Sequence, residues 1–133
     1  MENNETGRFI VGPEPIKELA YHDMDRLDRE LGTSLFKYMD SGMVPESDLY
    51  VMIRKVEREI PEELDLGFTP HTHDVTQLYC LVGDVKLEVT LGTDKHMACA
   101  PATIFVPAGM MHCFKYAGGT GYIVNILRAG KYP

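Results

Sequence analysis

The stretch 70-PHTHDVTQLYCLVG-83 begins with two histidines, His71 and His73, placed two residues apart. On an extended strand, residues i and i+2 point to the same face about 6.5–7 Å apart, so both imidazoles can converge on one ion. A third histidine, His112, follows a Pro-Gly turn in 107-PAGMMHCFKY-116. Three neutral imidazoles favour Zn, Ni, Cu, Fe or Mn over Ca or Mg. The three histidines therefore predict one divalent transition-metal site, and histidines that are purely structural in a metal-free barrel are the alternative.

The sequence around these histidines is rich in short β patterns. In residues 85–91 the apolar Val85, Leu87, Val89 and Leu91 alternate with polar residues, which indicates a strand with one buried face. Gly- and Pro-containing turns separate further candidate strands. The candidate strands are residues 35–40, 48–57, 77–82, 85–91, 103–106, 111–116 and 122–128. Strands of this number and spacing predict an all-β sandwich or barrel.

The sequence before residue 33 lacks the β patterns of the predicted barrel. Residues 1–12 resemble a loose tail that could end in a short strand over residues 8–11. From residue 13 to 31 apolar side chains recur every three or four positions, which predicts a helix with Pro15 in its first turn. Because the segment is heavily charged, an irregular arm is the alternative. We expect one domain overall, with an arm over residues 1–32 and the barrel over residues 33–133.

The composition limits the classes of partner. Acidic residues outnumber basic ones, 20 to 13, giving a formal net charge of −7, so a nucleic-acid partner is not expected. No apolar run reaches the roughly 20 residues that a bilayer span needs, and the polar start of the chain lacks a signal core, so we expect a cytoplasmic protein. The cysteines Cys80, Cys99 and Cys113 form no CxxC pair, and we expect them to be free thiols that pack as small hydrophobic side chains in the interior.

The segment from Gly67 to His112 resembles the two signature motifs of the cupin superfamily. The first motif, G(X)5HXH(X)3,4E(X)6G, is matched by Gly67, His71, His73, Gln77 and Gly83. The second motif, G(X)5PXG(X)2H(X)3N, is matched by Pro107, Gly109 and His112, with Pro101 and Tyr116 in place of its first and last residues. Gly67 is two residues and Gly83 one residue closer to the histidine pair than the pattern asks. The resemblance implies a double-stranded β-helix, or jelly-roll barrel, with the metal inside.

Gln77 stands where the cupin motif has a ligating glutamate. Its amide offers a neutral carbonyl oxygen, so an ion held by three histidines and Gln77 keeps its full 2+ charge and is a stronger Lewis acid. Alternatively, Gln77 only hydrogen-bonds a water on the ion, or Asp74 replaces it as a ligand if the strand is bulged. The resemblance adds that small cupins with three histidines and a glutamine act on sugar acids or polyketide-like carbonyl compounds, while others with three histidines alone are iron dioxygenases.

Other side chains are candidates for the cavity. Tyr79 lies an even number of residues from His71 and His73, so on a regular strand it faces the same way. It is the candidate proton donor or hydrogen-bond partner of a substrate, and an ordinary aromatic residue that fills the barrel is the alternative. Phe114, Tyr116, Arg54 and Asn125 are candidate substrate-binding residues. Arg54 is a carboxylate clamp if its strand face points inward, and is a solvated arginine otherwise. His22 and His96 are expected at the surface.

We therefore expect a metal-dependent enzyme that acts on a small oxygen-rich substrate, such as a keto acid or sugar acid, by isomerase- or lyase-type chemistry. The metal is expected to be Zn, Ni, Mn or Fe. An iron- or copper-dependent dioxygenase and a non-enzymatic binding module for a small molecule are the alternatives. By analogy with small cupins, a homodimer is the expected assembly.

Overall fold

The computed structural model describes residues 5–16, 33–59 and 70–133. These residues form a 3₁₀ helix, Glu5–Phe9, and nine β-strands. The strands are β1 (Glu14–Pro15), β2 (Thr33–Met39), β3 (Tyr50–Val56), β4 (Gln77–Gly83), β5 (Lys86–Leu91), β6 (Asp94–Cys99), β7 (Ala102–Val106), β8 (His112–Gly118) and β9 (Gly121–Leu127). The prediction of an all-β protein is confirmed.

The strands form two antiparallel sheets. A six-stranded sheet has the order β1-β2-β3-β9-β4-β7, and a three-stranded sheet has the order β6-β5-β8. A bridge between His71 and His112 links the segment before β4 to the start of β8, with the backbone N–H of each residue donating to the carbonyl of the other at 3.1 and 3.0 Å. This bridge brings the two histidine-bearing segments of the sequence together at one end of the sandwich.

The hydrophobic core lies between the two sheets. The alternating side chains Val85, Leu87 and Val89 are 0–2% exposed, which confirms the predicted buried face for these three, and Leu91 is partly buried. The remaining buried members of this cluster are Val56, Leu81, Ile104, Val106, Phe114 and Tyr116. A second cluster of Leu35, Tyr50, Met52 and Leu127 lies at the histidine end of the barrel, with Val75 and Tyr132 packed against it.

The seven strands predicted from sequence are present within a few residues of their expected limits. Strand β6 was missed because it begins with the polar residues Asp94, Lys95 and His96 directly after a turn, and because its residues are largely exposed and show no buried alternation. The prediction of a short strand over residues 8–11 is wrong, since Glu5–Phe9 is a 3₁₀ helix. Pro15 lies in β1, paired with Phe36 of β2, rather than in a first helical turn. The rest of the predicted helix lies outside the described residues.

The cysteines do not follow the expectation of burial. Cys99 is exposed, and Cys80 and Cys113 are half-buried; all three are free. Their strands place them on outward-facing or edge positions, where a thiol packs only in part. Across the described ranges 5–16, 33–59 and 70–133, no helix is long and apolar enough to span a membrane. The division into arm and barrel, the homodimer and the cytoplasmic location stay predictions.

Candidate metal centre

Three imidazoles meet inside the histidine end of the barrel. One ring nitrogen from each of His71, His73 and His112 lies within 4.8 Å of the other two. The ring centroids are 4.7 Å apart for His71 and His73, 4.5 Å for His71 and His112, and 5.4 Å for His73 and His112. His73 is 6% exposed and His112 is fully buried. The predicted convergence of the three histidines is present.

The local backbone that produces this convergence differs from the extended strand assumed from the sequence. His71 makes the single bridge to His112, His73 lies in an irregular segment, and β4 begins only at Gln77, after a bend. The Pro-Gly turn before β8 supports the irregular segment, because the N–H of Gly109 donates to the His73 carbonyl at 2.7 Å. Gly109 has a φ of 81°, a backbone conformation that favours glycine. The two sequence motifs are therefore hydrogen-bonded to each other.

Hydrogen bonds fix the tautomer of His112. Its Nδ1 lies 3.0 Å from the Met110 carbonyl, which can only accept, so Nδ1 carries the proton. Its Nε2 then has a lone pair, and the Nε2 amide group of Gln77 donates to it at 2.8 Å. A backbone carbonyl that holds Nδ1–H in this way is the usual support of a histidine that ligates a metal through Nε2.

Gln77 completes the cluster with a polar atom that needs a partner. The side chain is 1% exposed, and its Oε1 finds no hydrogen-bond donor among the residues that the structure describes. A buried carbonyl oxygen left in this state costs about 1–3 kcal/mol. Rotation about the last side-chain torsion exchanges the amide N and O, which places Oε1 beside the His112 lone pair, where a cation would satisfy both. The donor set of three nitrogens and one oxygen fits a divalent transition metal.

The surroundings of His73 and His112 favour the neutral form of both rings. Burial, together with the nearby rings of His71 and His112, lowers the pKa of His73 to about 4, although Asp74 raises it slightly. Burial also lowers the pKa of His112, while its hydrogen bond to the Met110 carbonyl acts in the opposite direction. His73 and His112 therefore have unprotonated nitrogens at neutral pH, the form that a metal ion requires. Asp74, the alternative ligand, is exposed and stands outside the cluster.

The six-stranded sheet arranges the other candidates in rows below the centre. The paired residues Tyr50, Leu127, Gln77 and Val106 form the first row, Met52, Asn125, Tyr79 and Ile104 form the second, and Arg54, Ile123, Leu81 and Ala102 form the third. Tyr79 and Asn125 are thus one row from Gln77, about 7 Å along the strand, and Arg54 is two rows away, about 13 Å. Arg54 is 8% exposed, so its face points inward.

The opposite sheet contributes two aromatic residues with different surroundings. The Phe114 ring lies 5.8 Å from the His112 ring and 4.1 Å from the Tyr79 ring, at the wall of the site. Tyr116 lies four residues beyond His112 in β8, and its single hydroxyl proton is shared between two acceptors, a Glu59 carboxylate oxygen and the Gly119 carbonyl. Its phenol is thereby held at the far end of the barrel. His96 is exposed on β6, on a strand rather than in a turn, and His22 lies outside the described residues.

Sequence reasoning missed Tyr132. Its hydroxyl lies 3.3 Å from Nε2 of His73, and its ring packs edge-on against the His73 ring at a centroid distance of 5.3 Å. The residue follows β9 in an irregular segment that carries no strand pattern. The surrounding sequence, 128-RAGKYP-133, gives Tyr132 no spacing relation to the histidines, so no sequence signal could have singled it out.

No family model matches the chain, and no curated protein matches its sequence. Solved structures do match its fold. KdgF from Halomonas sp. matches with a TM-score of 0.57 and 18% identity, over 85% of this chain and 96% of that chain. An RmlC-like cupin from Shewanella frigidimarina matches with a TM-score of 0.55 and 12% identity, over 87% and 96%.

Oxalate decarboxylase from Bacillus subtilis, a protein with Mn(II) centres, matches with a TM-score of 0.58 and 10% identity, over 90% of this chain and 29% of the longer chain. These identities are low, so the likeness concerns the fold. The two antiparallel sheets and the paired histidine segments agree with it. The chain therefore has the fold of these cupin structures, with His71, His73, His112 and Gln77 clustered inside its barrel.

Proposed function

We propose that this protein is a metal-dependent enzyme acting on a small, oxygen-rich anionic substrate, such as a keto acid or a sugar acid, by isomerase- or lyase-type chemistry. The observation that carries the proposal is the group of three converging imidazoles beside a buried Gln77 amide oxygen that lacks a donor among the described residues. His71, His73, His112 and Gln77 would hold the ion. Zn, Ni, Mn and Fe are the metals that this donor set favours.

The charge of the donor set favours an anionic substrate. Three imidazoles and one amide carry no net charge when they ligate, so a divalent ion keeps both positive charges. When bound, it would supply Lewis-acid polarisation of a substrate carbonyl or carboxylate oxygen. A Mn(II)-containing decarboxylase of the same fold supports such chemistry by analogy only.

Tyr79 is the residue that we assign to proton transfer. Burial, helped by the neighbouring Tyr132, raises the pKa of Tyr79, so the phenol is protonated at neutral pH. Its place on the inward face of β4, one row from Gln77, is what supports its assignment as the donor to a substrate oxygen. Asn125, the cross-strand partner of Tyr79 on β9, would orient this phenol. The Oδ1 of Asn125 is buried and finds no donor within the described part of the chain, so it is available to accept a hydrogen bond from a substrate hydroxyl.

Three further residues would bind the substrate. Arg54, buried on the inward face two rows from Gln77, would pair with a carboxylate at the end of the substrate away from the ion. Phe114 would form an apolar wall beside Tyr79. Tyr116 would close the far end of the cavity through its ring, since its hydroxyl is bonded to Glu59 and Gly119.

A second candidate follows from the orientation of Gln77. Its amide nitrogen, rather than its oxygen, faces His112. If that orientation persists when an ion is bound, the centre has three protein ligands and open positions on one face. A three-histidine centre of this kind suits an iron- or copper-dependent dioxygenase. Oxygen consumption separates this reaction from isomerase or lyase chemistry.

The test is elemental analysis of protein purified without added metal, followed by assays on a panel of keto acids and sugar acids with an oxygen electrode. We expect one divalent transition metal per chain, product formation without oxygen uptake, and loss of both metal and activity in His112→Ala. Iron or copper with substrate-dependent oxygen uptake would establish the dioxygenase. A chain that takes up no metal after reconstitution, yet binds small molecules, would leave the non-enzymatic binding module.

A further inference from the structure

Tyr132 reaches the metal centre from a part of the chain remote from both histidine motifs. Its hydroxyl lies 3.3 Å from His73 Nε2, and its ring meets the His73 ring at an interplanar angle of 80°. The ring also packs edge-on against Tyr50, at a centroid distance of 5.8 Å. Tyr50 is buried in the first row of inward-facing side chains, the row that contains Gln77. Tyr132 therefore borders the same space as the ligand cluster.

The backbone around Tyr132 is fixed by hydrogen bonds to two other segments. The N–H of Arg128 donates to the Thr76 carbonyl at 3.0 Å, next to Gln77. Two residues later, the Gly130 carbonyl accepts from the N–H of Ser41 at 2.7 Å. These contacts tie the segment after β9 both to the start of β4 and to the loop after β2. The position of the Tyr132 ring is thus set by the fold, as a ligand-contacting side chain requires.

The Tyr132 hydroxyl faces His73 Nε2. If an ion is ligated by that nitrogen, its lone pair is taken, and the hydroxyl becomes a donor directed at the side of the centre next to His73. Tyr79 lies on β4, one row of inward-facing side chains away from Gln77. A small anion at the centre would meet the Tyr132 hydroxyl on the side of His73. Such a donor is suited to a carboxylate or enolate oxygen, because charge-assisted hydrogen bonds are stronger than neutral ones.

We propose that Tyr132 is a substrate-contacting residue of the metal centre, donating a hydrogen bond from its hydroxyl to an anionic oxygen of the small molecule bound beside His73. This inference rests on the proposed function, because it requires an ion at the histidine cluster. It adds a residue outside the cupin motifs, and it assigns the segment after β9 to the wall of the substrate cavity.

The experiment uses the full chain loaded with Co(II), whose visible spectrum reports changes in coordination, and acetate as the probe anion. Three proteins are compared: the unsubstituted chain, Tyr132→Phe and Tyr122→Phe. Tyr132→Phe keeps the ring that packs on Tyr50 and removes only the hydroxyl. Tyr122 is a matched control, since it is 42% exposed on β9.

We expect Tyr132→Phe to bind Co(II) like the unsubstituted chain but to bind acetate about tenfold more weakly, as loss of one hydrogen bond to a charged group predicts. Tyr122→Phe should change neither constant.

Each other outcome has a distinct meaning. Equal acetate affinity in Tyr132→Phe and Tyr122→Phe would overturn the inference alone. Weaker Co(II) binding in Tyr132→Phe with unchanged acetate affinity would also overturn it, because the hydroxyl would then only orient His73. Failure of the unsubstituted chain to bind Co(II) would overturn the inference and the proposed function together. An acetate effect in a chain that turns over no keto acid or sugar acid would uphold the inference and reject the proposed reaction.

Discussion

Replacing Gln77 by leucine separates its role in the metal-free fold from its role toward a metal ion. Leucine has a similar volume, and the site is 1% exposed, so the change removes the amide without opening a large cavity. Two consequences oppose each other in the metal-free protein. The amide oxygen that lacks a donor among the described residues disappears, and the 2.8 Å hydrogen bond from the amide nitrogen to His112 Nε2 is lost.

The magnitudes follow from these two contacts. Removing an unsatisfied buried carbonyl gains about 1–3 kcal/mol, and losing the hydrogen bond while leaving His112 Nε2 without that donor costs about as much. We therefore expect the free energy of unfolding of the metal-free variant to stay within about 1 kcal/mol of the unsubstituted protein. With metal in excess, the expected loss of affinity is tenfold to a hundredfold, which reduces the stabilisation by metal by about 1.4–2.7 kcal/mol. That corresponds to a thermal shift on metal addition smaller by roughly 5–10 °C.

The assay is thermal or urea unfolding of Gln77→Leu and of the unsubstituted chain, each with and without Zn(II), combined with a competition titration for the metal. Gln77→Glu is the matched variant of opposite sign. Its buried carboxylate should destabilise the metal-free protein, because a buried charge without a partner is costly, and it should increase the stabilisation on adding Zn(II).

The reasoning would be refuted by a Gln77→Leu variant with the metal affinity of the unsubstituted chain, since the amide would then contribute nothing to the centre. It would also be refuted by a metal-free Gln77→Leu that loses several kcal/mol, because the amide would then be a structural element of the barrel. A Gln77→Glu variant with weaker metal binding than Gln77→Leu would contradict the ligand geometry inferred from the His112 contact.

Three further predictions test other parts of the structure. First, the pKa of His73 falls from 6.5 to about 4 on folding, so the unfolded chain binds more protons than the folded chain between these pH values. This contribution to the free energy of unfolding is therefore fully present above pH 6.5 and is lost as the pH falls toward 4. Urea unfolding of the metal-free protein should show that free energy decrease by at most about 3 kcal/mol, and a flat profile would contradict the burial of a neutral ring. Second, Gly119→Ala should destabilise the protein far more than Gly92→Ala. Both glycines have positive φ (78° and 62°), but a Cβ at Gly119 would lie 1.9 Å from the backbone oxygen of Asp84, whereas a Cβ at Gly92 would have nothing within 4 Å. Similar melting temperatures for the two variants would reject this close approach. Third, Tyr79→Phe should lower kcat with a substrate identified by the panel by about 10²-fold or more while leaving metal content unchanged, and an unaltered kcat would remove Tyr79 from proton transfer.

The fold could be predicted from sequence where burial alternates along a strand. Strand β5 shows this, because Leu87 and Val89 face the core and the residues between them face outward. Strand β6 could not be predicted, because an edge strand with mostly exposed residues needs no apolar pattern; its pairing with β5 fixes it instead. The free cysteines were wrongly expected to be buried, because the average preference of thiols for the interior does not determine which face of a particular strand they occupy.

The site divides in the same way between local and long-range information. The spacing of His71 and His73, together with the Pro-Gly turn before His112, predicts convergence, and the structure obtains it by a route that the spacing does not specify: a single bridge between His71 and His112 and a hydrogen bond from Gly109 to His73. The histidines therefore converge because the backbones of the two motifs are hydrogen-bonded to each other, although His71 and His73 do not lie on the regular strand that the sequence argument assumed.

Tyr132 could not be predicted from a sequence motif. Its distance from His73 depends on the pairing of β9 with β4 and on hydrogen bonds from the segment after β9 to Thr76 and Ser41. None of these contacts produces a recognisable pattern in the sequence around residue 132. A ligand is recognisable from sequence because ion binding demands a particular atom at a particular spacing. A residue that contacts the substrate is selected by the shape of the whole cavity. If substrate specificity in this barrel resides in such residues, variants at Tyr132 and Arg54 should change which acid is bound while leaving the metal in place, whereas variants at the three histidines should abolish binding of every acid together.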